Sequence, residues 1–285
     1  MSMIMMLNLK GGVAKTTNAV AIAECFASMG RKVLLIDADH QCMASELLLG
    51  VDGLEKLDKR KRTFYDLLTE MLKENFHRDK FSFYPISNVS KISSIKEYMN
   101  CVPCSYRLDD LEDNMRKARR DEPTNQEFLR KWNRWRKIFA DWCHRHYDYT
   151  IFDCPPNINI TIKFLLGSAD YYIIPSIPDK LSIRGSHYLL SRLEKRGYTK
   201  IHGLGTLWCK VRKQVEEHLK TIEDFKGKNN SLPLPFLEYI NESAAMIHAV
   251  ELEEEVSSFR KKYGQDMGKR FENLCLEIEE RIKKV

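Results

Sequence analysis

Residues 8–17 carry the strongest chemical signal in this chain. They read Asn-Leu-Lys-Gly-Gly-Val-Ala-Lys-Thr-Thr and lie between an apolar run and a segment of helical period. Glycines let backbone N–H groups approach phosphate oxygens closely, the following helix points its positive end at them, and a lysine offsets their charge. We therefore expect Lys15 to contact a bound polyphosphate. The strict phosphate-loop pattern has glycine where this chain has Leu9 and Ala14, and the second lysine, Lys10, needs a role of its own.

Aspartates follow two other apolar runs. Asp37 and Asp39 come after residues 33–36, and Asp153 comes after residues 149–152. Because the carboxyl ends of parallel strands meet at one edge of a sheet, these carboxylates should lie together beside the phosphate loop. Anions are tolerable next to a polyphosphate only if a divalent cation and lysines offset them. An Asp-x-Asp pair alone is more often a helix cap or a turn, but its position after the loop favours a Mg²⁺ site.

Short apolar runs alternate with longer segments of helical period along the chain. This alternation predicts an α/β fold with a mostly parallel, twisted sheet and helices on both faces. The predicted strands cover residues 4–9, 32–36, 81–86, 149–152, 171–174, 203–208 and 235–239. We expect a single domain over residues 1–285, with a charged helical insertion at about 54–147.

Composition excludes several classes of protein. Of 285 residues, 43% are hydrophobic and 30% charged, as in soluble globular proteins, and no apolar stretch is long enough to cross a bilayer. The N-terminus lacks the features of a secretory signal, so we expect a cytoplasmic location. The eight cysteines are scattered apart from Cys101 and Cys104, which does not favour a disulfide scaffold. The net charge of +6 permits contact with polyanions without demonstrating it.

The motifs together resemble the deviant Walker A ATPases of the ParA and MinD type, in particular the short, Soj-like partition ATPases. The match is complete from Lys10 to Thr17. The run Asp-Ala-Asp-His-Gln at residues 37–41 is similar to the family's first switch, and Asp-Cys-Pro-Pro at 153–156 is similar to its Walker B strand and second switch. Residues 174–179 and 182–185 also look like the family's strand-and-loop passage. The resemblance implies the P-loop NTPase fold with ATP and Mg²⁺ as ligands.

The resemblance also implies roles for individual residues. Lys10 would reach the phosphates held by the partner subunit of a sandwich dimer, Asp39 would position or activate the attacking water, and Asp153 would hold the metal through a water. The implied catalytic residues are Lys10, Lys15 and Asp39. The implied nucleotide-binding residues are Lys10, Gly11, Gly12, Val13, Ala14, Lys15, Thr16 and Thr17. The implied metal site comprises Thr16, Asp37 and Asp153.

The expected function is an ATP-dependent dimerising switch with slow hydrolysis, stimulated by a ParB-like or other partner protein. Such a switch would act in partition of plasmid or chromosomal DNA, or in positioning of cargo. ATP is favoured over GTP because the sequence Asn-Lys-x-Asp does not occur. The chain begins at its first strand, which leaves no room for an upstream helix-turn-helix, so we expect non-specific, salt-sensitive DNA binding and a location at the nucleoid. The candidate DNA-binding residues are Arg184, Arg192, Lys195, Arg196, Lys210, Arg212 and Lys213.

Two alternative functions stay open at this stage. A MinD-like division-site regulator would lay an amphipathic tail on a membrane, and apolar residues recur with helical spacing at 267–282. The polar side of that helix mixes acidic and basic residues, which favours packing on the body or on a second subunit. An iron–sulfur carrier ATPase would use a cysteine pair such as Cys101 and Cys104, although no second pair with zinc-site spacing occurs. The aromatic stripe at 128–146 is typical of a core-facing helix. We interpret His146, at its end, as a helix-end or core histidine rather than a ligand.

Overall fold

Seven strands form the central sheet of the described chain. The structure, a computed structural model, describes residues 1–121, 125–226 and 232–285. The strands are β1 (Ser2–Met6), β2 (Val33–Asp37), β3 (Ile86–Ser87), β4 (Met99–Val102), β5 (Tyr149–Asp153), β6 (Tyr171–Ser176) and β7 (His202–Trp208). Their order is β3-β4-β2-β5-β1-β6-β7, and every neighbouring pair is parallel except β3 and β4. The predicted α/β class with a mostly parallel sheet is confirmed.

Helices cover both faces of this sheet. They are α1 (Lys15–Ser28), α2 (Met43–Lys59), α3 (Phe64–Glu70), α4 (Leu111–Asp121), α5 (Asn125–His146), α6 (Ile160–Leu166), α7 (Lys180–Lys195), α8 (Glu216–Phe225), α9 (Ala244–Glu251), α10 (Phe259–Tyr263) and α11 (Gln265–Lys284). Helices α3 to α7 share one apolar core with one face of the sheet, and α1 with α9 to α11 share a second core with the other face. Among the described residues, none of these helices is long and apolar enough to cross a membrane.

The central strands are apolar on both faces because helices cover both faces. In β1, Met3 and Met5 belong to the core under α3 to α7, whereas Ile4 and Met6 belong to the core under α1. All four side chains are at most 1% exposed. The continuous apolar run that identified this strand therefore reflects its central position in the sheet.

Two strand predictions need correction, and one strand was missed. The prediction at 81–86 was largely wrong, because Arg78–Phe83 is a 3₁₀ helix and only Ile86 enters β3. Phe81 packs on α5, with the Phe81 and Phe139 ring centroids 5.7 Å apart. The prediction at 235–239 was wrong, since only Pro235 forms an isolated bridge to β7 and proline has no N–H for a ladder. Strand β4 was missed, because its Met-Asn-Cys-Val sequence is poor in β-branched and aromatic residues.

Residues 54–147 contribute to the central sheet. This stretch contains β3 and β4 in addition to α3, α4 and α5, and β4 pairs with β2 over four residues, from Val33–Met99 to Ile36–Val102. It therefore lies against the strand that ends in Asp37, next to the expected nucleotide site.

Two amphipathic helices bury the faces that their spacing predicted. In α5, Phe128, Trp132 and Phe139 are at most 8% exposed. His146 is the last residue of this helix and is exposed, which confirms the helix-end interpretation rather than the core one. In α11, Phe271 and Ile278 are fully buried against the core under α1. The apolar face of α11 is thus used inside the protein, which removes the observation that favoured a membrane-bound tail.

At the amino edge of the sheet, one carboxylate holds a strand and a helix together. Asp170 Oδ2 accepts hydrogen bonds from the Met3 N–H and from His144 Nε2, each at 2.8 Å. The hydrogen bond with Asp170 is the main reason why the pKa of His144 is raised above its ordinary value, and burial only partly opposes it. The contact therefore stabilises the fold most when the imidazole is protonated.

The free energy of unfolding should fall with rising pH because of His144. A raised folded-state pKa makes this contribution fully present below the ordinary histidine pKa of 6.5 and lost as pH rises through the folded-state pKa. His144→Gln should flatten that part of the profile, measured by urea unfolding across a pH series. His146→Gln, on the same helix but exposed, is the control and should keep the parent profile. A His144→Gln profile as steep as the parent's would contradict this assignment.

Candidate functional site

The loop between β1 and α1 has a backbone shaped for an anion. Gly12 and Ala14 both adopt left-handed conformations, with φ of +74° and +61°. Successive turns of this kind direct backbone N–H groups toward one concavity, and glycine adopts this conformation freely, whereas alanine does so at a cost of about 1 kcal/mol. Ala14 is the N-cap of α1 and makes no side-chain capping bond. The first N–H groups of α1 are therefore left for a ligand.

Asn8 fixes this loop to the neighbouring strand. Its side chain is fully buried, Nδ2 donates to the Pro175 carbonyl oxygen at 2.7 Å, and Oδ1 accepts from the Lys10 N–H at 3.0 Å. Asn8 thus links the start of the loop to the end of β6. This anchoring role of Asn8 could not be predicted from the sequence, because an asparagine before a glycine loop forms no distinctive sequence pattern.

The two lysines of the loop point in different directions. Lys15 is 7% exposed, and its Nζ donates to the Lys10 carbonyl oxygen at 3.1 Å. Burial lowers the pKa of Lys15, although the charges of Asp153 and Asp39 oppose this. Lys10 instead extends to the start of α7, where its Nζ lies 2.8 Å from Ser182 Oγ and 3.4 Å from both carboxylate oxygens of Asp179.

Asp37 and Asp153 lie side by side, as expected from their positions at strand ends. They are register partners on the parallel neighbours β2 and β5, and both are fully buried. Burial raises the pKa of Asp37 to about 6, although hydrogen bonds from Ser45 to Oδ2, at 2.6 and 2.9 Å, counteract the rise. Burial and the Asp37 charge raise the pKa of Asp153 well above its usual value. Two adjacent carboxyls in this environment resist ionising together.

The surroundings of Asp153 fit a magnesium ion. Neither of its buried carboxylate oxygens has a hydrogen-bond partner within the described part of the chain. The Thr16 hydroxyl and the Lys15 ammonium lie near enough to lower the pKa of Asp153 in part. Hard oxygen donors around an uncompensated negative charge are the donor set that Mg²⁺ prefers. Thr16, Asp37 and Asp153 are therefore the residues placed to hold it, directly or through water.

Asp39 lies at the mouth of the same site. It is 8% exposed, its N–H donates to Asp37 Oδ1 at 3.1 Å, and its Oδ1 accepts from the Gln41 N–H at 3.1 Å. The structure thus brings Lys15, Asp37, Asp39 and Asp153 together at the carboxyl edge of the sheet. The remaining loop residues, Gly11, Val13 and Thr17, lie in the same turn or the first turn of α1.

The candidate DNA-binding residues fall into two groups. Arg184, Arg192, Lys195 and Arg196 follow α7 to its C-cap, whereas Lys210, Arg212 and Lys213 lie in the segment after β7. With a rise of 1.5 Å per residue, Arg184 and Arg196 are roughly 18 Å apart along the helix axis. Arg212 also forms an ion pair with Glu242. The residues on α7 are thus spread along most of the helix, while Ile183 at its start packs in the same small apolar cluster as Val211 of the second segment.

The cysteine pair considered for a metal is divided between the two cores. Cys101 belongs to the core under α1, and Cys104 belongs to the core on the opposite face of the sheet. Both thiols are fully buried, which raises the pKa of each well above its usual value. This placement gives the two sulfur atoms no shared pocket for a metal cluster.

Sequence reasoning missed two further side chains at this edge. Asn18 of α1 donates to Cys209 Sγ at 3.3 Å, just after β7, and Asn241 pairs with Val211 through an isolated bridge. The Oδ1 atoms of both asparagines are buried and have no hydrogen-bond partner among residues 1–121, 125–226 and 232–285. They are thus unused acceptors near the carboxyl end of β7, and only the tertiary fold brings them there.

A family model, a sequence relative and two solved structures relate the chain to known proteins. A family model described as an AAA domain matches residues 1–202. The sporulation initiation inhibitor protein Soj of Bacillus subtilis is 26% identical over 226 residues, covering 78% of each protein. A plasmid partition protein of Borrelia burgdorferi bound to AMPPNP has a TM-score of 0.68 at 22% identity, covering 100% of this chain and 99% of that chain. The septum site-determining protein MinD of Pyrococcus horikoshii, complexed with Mg-ADP, has a TM-score of 0.64 at 18% identity, covering 98% and 96%.

Asp153→Asn should stabilise the nucleotide-free chain, because an amide avoids the cost of ionising a buried carboxyl. We expect a gain on the order of 1–3 kcal/mol at pH 8, measured by thermal unfolding. The same variant should lose the extra stabilisation that Mg²⁺ and ATP give the parent. Asp52→Asn, at an exposed position of α2, is the control and should match the parent in both respects. Reduced stability combined with a normal response to Mg²⁺ and ATP would contradict the assignment of Asp153.

Proposed function

We infer that this chain is a dimerising switch driven by slow ATP hydrolysis. The chain belongs to the AAA domain family, whose model matches residues 1–202, and it is a ParA/MinD-type P-loop ATPase. We propose that it acts in DNA partition or cargo positioning. Soj and the Borrelia partition protein are the relatives whose names favour this role. The physical support comes from the orientation of the two loop lysines.

Lys15 and the N-terminus of α1 are placed to bind the phosphates of ATP within the same chain. The uncapped N–H groups of α1 and the buried ammonium supply positive charge, while Thr16, Asp37 and Asp153 would hold Mg²⁺. When bound, Mg²⁺ offsets the charge on the β- and γ-phosphates. Asp39, at the mouth of the site, is placed to orient a water for attack on the γ-phosphate. The complexes with AMPPNP and Mg-ADP among the similar structures support the same pair of ligands.

The single observation that carries the dimer proposal is the position of Lys10. Its ammonium lies outside its own phosphate loop, at the N-cap of α7, and the Lys10 side chain is 31% exposed. Asp179 holds it there. Burial raises the pKa of Asp179, but the Ser182 N–H bond and the Lys10 charge outweigh that effect and hold the pKa below its usual value. A lysine presented in this way can reach phosphates of a second subunit once Asp179 releases it.

The exposed face of α7 supports the same interface. Leu181 and Tyr188 are seven positions apart and therefore lie on one face of the helix, where they are 72% and 57% exposed. Arg192 covers the Tyr188 ring at 5.6 Å. Apolar side chains next to Lys10 would be covered by a second copy of the chain, and loss of the γ-phosphate would remove the contact that favours pairing.

Pairing would also explain how dispersed basic residues could bind DNA. In one chain the basic residues of α7 are spread along the helix, and a dimer would present two copies of them and of the basic residues after β7. Binding to the DNA backbone by such groups is insensitive to sequence and weakens with salt. DNA retention should therefore require ATP, because ATP would control pairing. A partner protein that stimulates hydrolysis would then release the chain from DNA.

Variants of the two loop lysines should separate nucleotide binding from pairing. Lys15→Ala should abolish ATP binding, measured by calorimetry, because the site loses its buried cation. Lys10→Ala should keep ATP binding but remain monomeric with ATP, measured by light scattering. Lys180→Ala, an exposed neighbour on α7, is the control and should dimerise. ATP-dependent dimerisation of Lys10→Ala to the parent's extent would disprove the role of Lys10 across the interface.

The DNA proposal is tested by titrating duplexes of unrelated sequence with ATP, with ADP and without nucleotide, across a salt series. We expect retention only with ATP and a steep loss of affinity as salt rises. The double variant Lys195→Glu, Arg196→Glu should bind DNA more weakly than the parent at the same salt concentration, while its affinity for ATP stays at the parent level. DNA binding that depends neither on the nucleotide nor on the salt concentration would count against a function in DNA partition.

A further inference from the structure

A segment far from the phosphate loop in sequence contacts the first switch at several points. We call residues 104–110 the strap; they include the 3₁₀ helix Tyr106–Asp110. At its start, the Cys104 N–H donates to Ser45 Oγ at 2.8 Å, and Ser45 Oγ in turn donates to Asp37 Oδ2 at 2.6 Å. Next, the Tyr106 hydroxyl donates to Glu46 Oε1. The strap therefore touches the region that carries the switch carboxylates and the first turn of α2.

The third contact of the strap involves a histidine of the first switch. His40 follows Asp39 directly, and its Nδ1 atom is buried and makes no hydrogen bond with any residue that the structure describes. Asp109 Oδ1 of the strap lies 3.4 Å from this nitrogen, and Asp39 Oδ1 lies 3.7 Å from it on the switch. Two carboxylates facing one ring nitrogen favour the tautomer with the proton on Nδ1. Contacts of this kind are often long without substrate and tighten in the reacting complex.

We propose that His40 is a positioning residue for Asp39, and that Asp109 of the strap holds the imidazole in place. The inference rests on the proposed role of Asp39 in hydrolysis. Asp39 Oδ1 already accepts a hydrogen bond from the Gln41 N–H, and the His40 ring nitrogen approaches the same oxygen, so a second contact there would restrict the orientation of the carboxylate further. An imidazole N–H between Asp109 and Asp39 would fix the Asp39 carboxylate for orienting water.

The backbone does not need this contact for its own stability. The turn at Asp39 is closed by its own hydrogen bond from the Gln41 N–H, and the strap is anchored by Leu108, which is 3% exposed, and by the Ser105 side chain at the 3₁₀ N-cap. Asp109 itself is 66% exposed. An exposed carboxylate directed at an unpartnered nitrogen adds little to folding, so its placement is better explained by an effect on Asp39.

The geometry allows a test with matched variants. His40→Asn places an amide nitrogen near the position of Nδ1, His40→Gln places it near Nε2, and His40→Ala removes both. We expect His40→Ala to lower kcat by about 10- to 100-fold, with the affinity for ATP and Mg²⁺ within about twofold of the parent. His40→Asn should recover most of kcat, whereas His40→Gln should recover little.

Asp109→Asn should lower kcat in the same direction by a smaller factor, and adding it to His40→Ala should cause no further loss. Asp110→Asn, an exposed neighbour on the strap, is the control and should leave kcat unchanged. If His40→Ala fails to fold, as shown by circular dichroism, the Asn and Gln variants with Asp109→Asn carry the test.

Two sets of results would overturn the inference. Parent-like kcat in all His40 variants, or equal recovery by His40→Asn and His40→Gln, would remove the positioning role. If Asp39→Ala abolishes hydrolysis in the same assay, only this inference fails and the proposed function stands. Undiminished hydrolysis in Asp39→Ala would overturn both, because Asp39 would then have no part in the reaction.

Discussion

The rest of this site depends on one constraint. Two buried carboxyl groups lie side by side, and the positive charge around them is too small to offset two ionised carboxylates. Parallel pairing of β2 with β5 places Asp37 opposite Asp153, and helices on both faces keep water away from them. Lys15 is a buried cation whose charge acts on Asp153, but burial lowers its pKa as well. A buried charge is costly unless a counter-charge compensates it. Ionisation of both carboxyl groups therefore calls for a further cation, which Mg²⁺ would supply.

The two lysines of the phosphate loop have separate roles because the loop backbone turns twice between them. Gly12 and Ala14 in left-handed conformations direct Lys15 inward and leave Lys10 beside α7. Lys15 can then serve the nucleotide of its own chain, while Lys10 is available to another. Asn8 and Asp179 fix the two ends of this arrangement to β6 and α7. Nucleotide binding and subunit pairing are coupled in our account because one loop carries both lysines.

Much of this arrangement can be predicted from the sequence, but only the features that short sequence patterns determine. The phosphate loop and strands β1, β2, β5, β6 and β7 were predictable, because the loop has a distinctive glycine pattern and each strand is a short apolar run between segments of helical period. The adjacency of Asp37 and Asp153 was expected from that edge, although the strand order that makes them direct partners depends on tertiary packing. Strand β4 and the approach of Asp109 to His40 were not predictable, since both arise from residues 54–147 folding back against β2.

The most direct test of the central claim is calorimetric titration of the chain with ATP at pH 6, with and without Mg²⁺, in buffers of different ionisation enthalpy. Because burial raises the pKa values of Asp37 and Asp153, uptake of Mg²⁺ with ATP must displace protons from them. We predict one ATP bound per chain, tighter with Mg²⁺ and accompanied by proton release that the Asp153→Asn variant reduces. No ATP uptake by the folded chain with Mg²⁺ present, or uptake without proton release, would contradict the account.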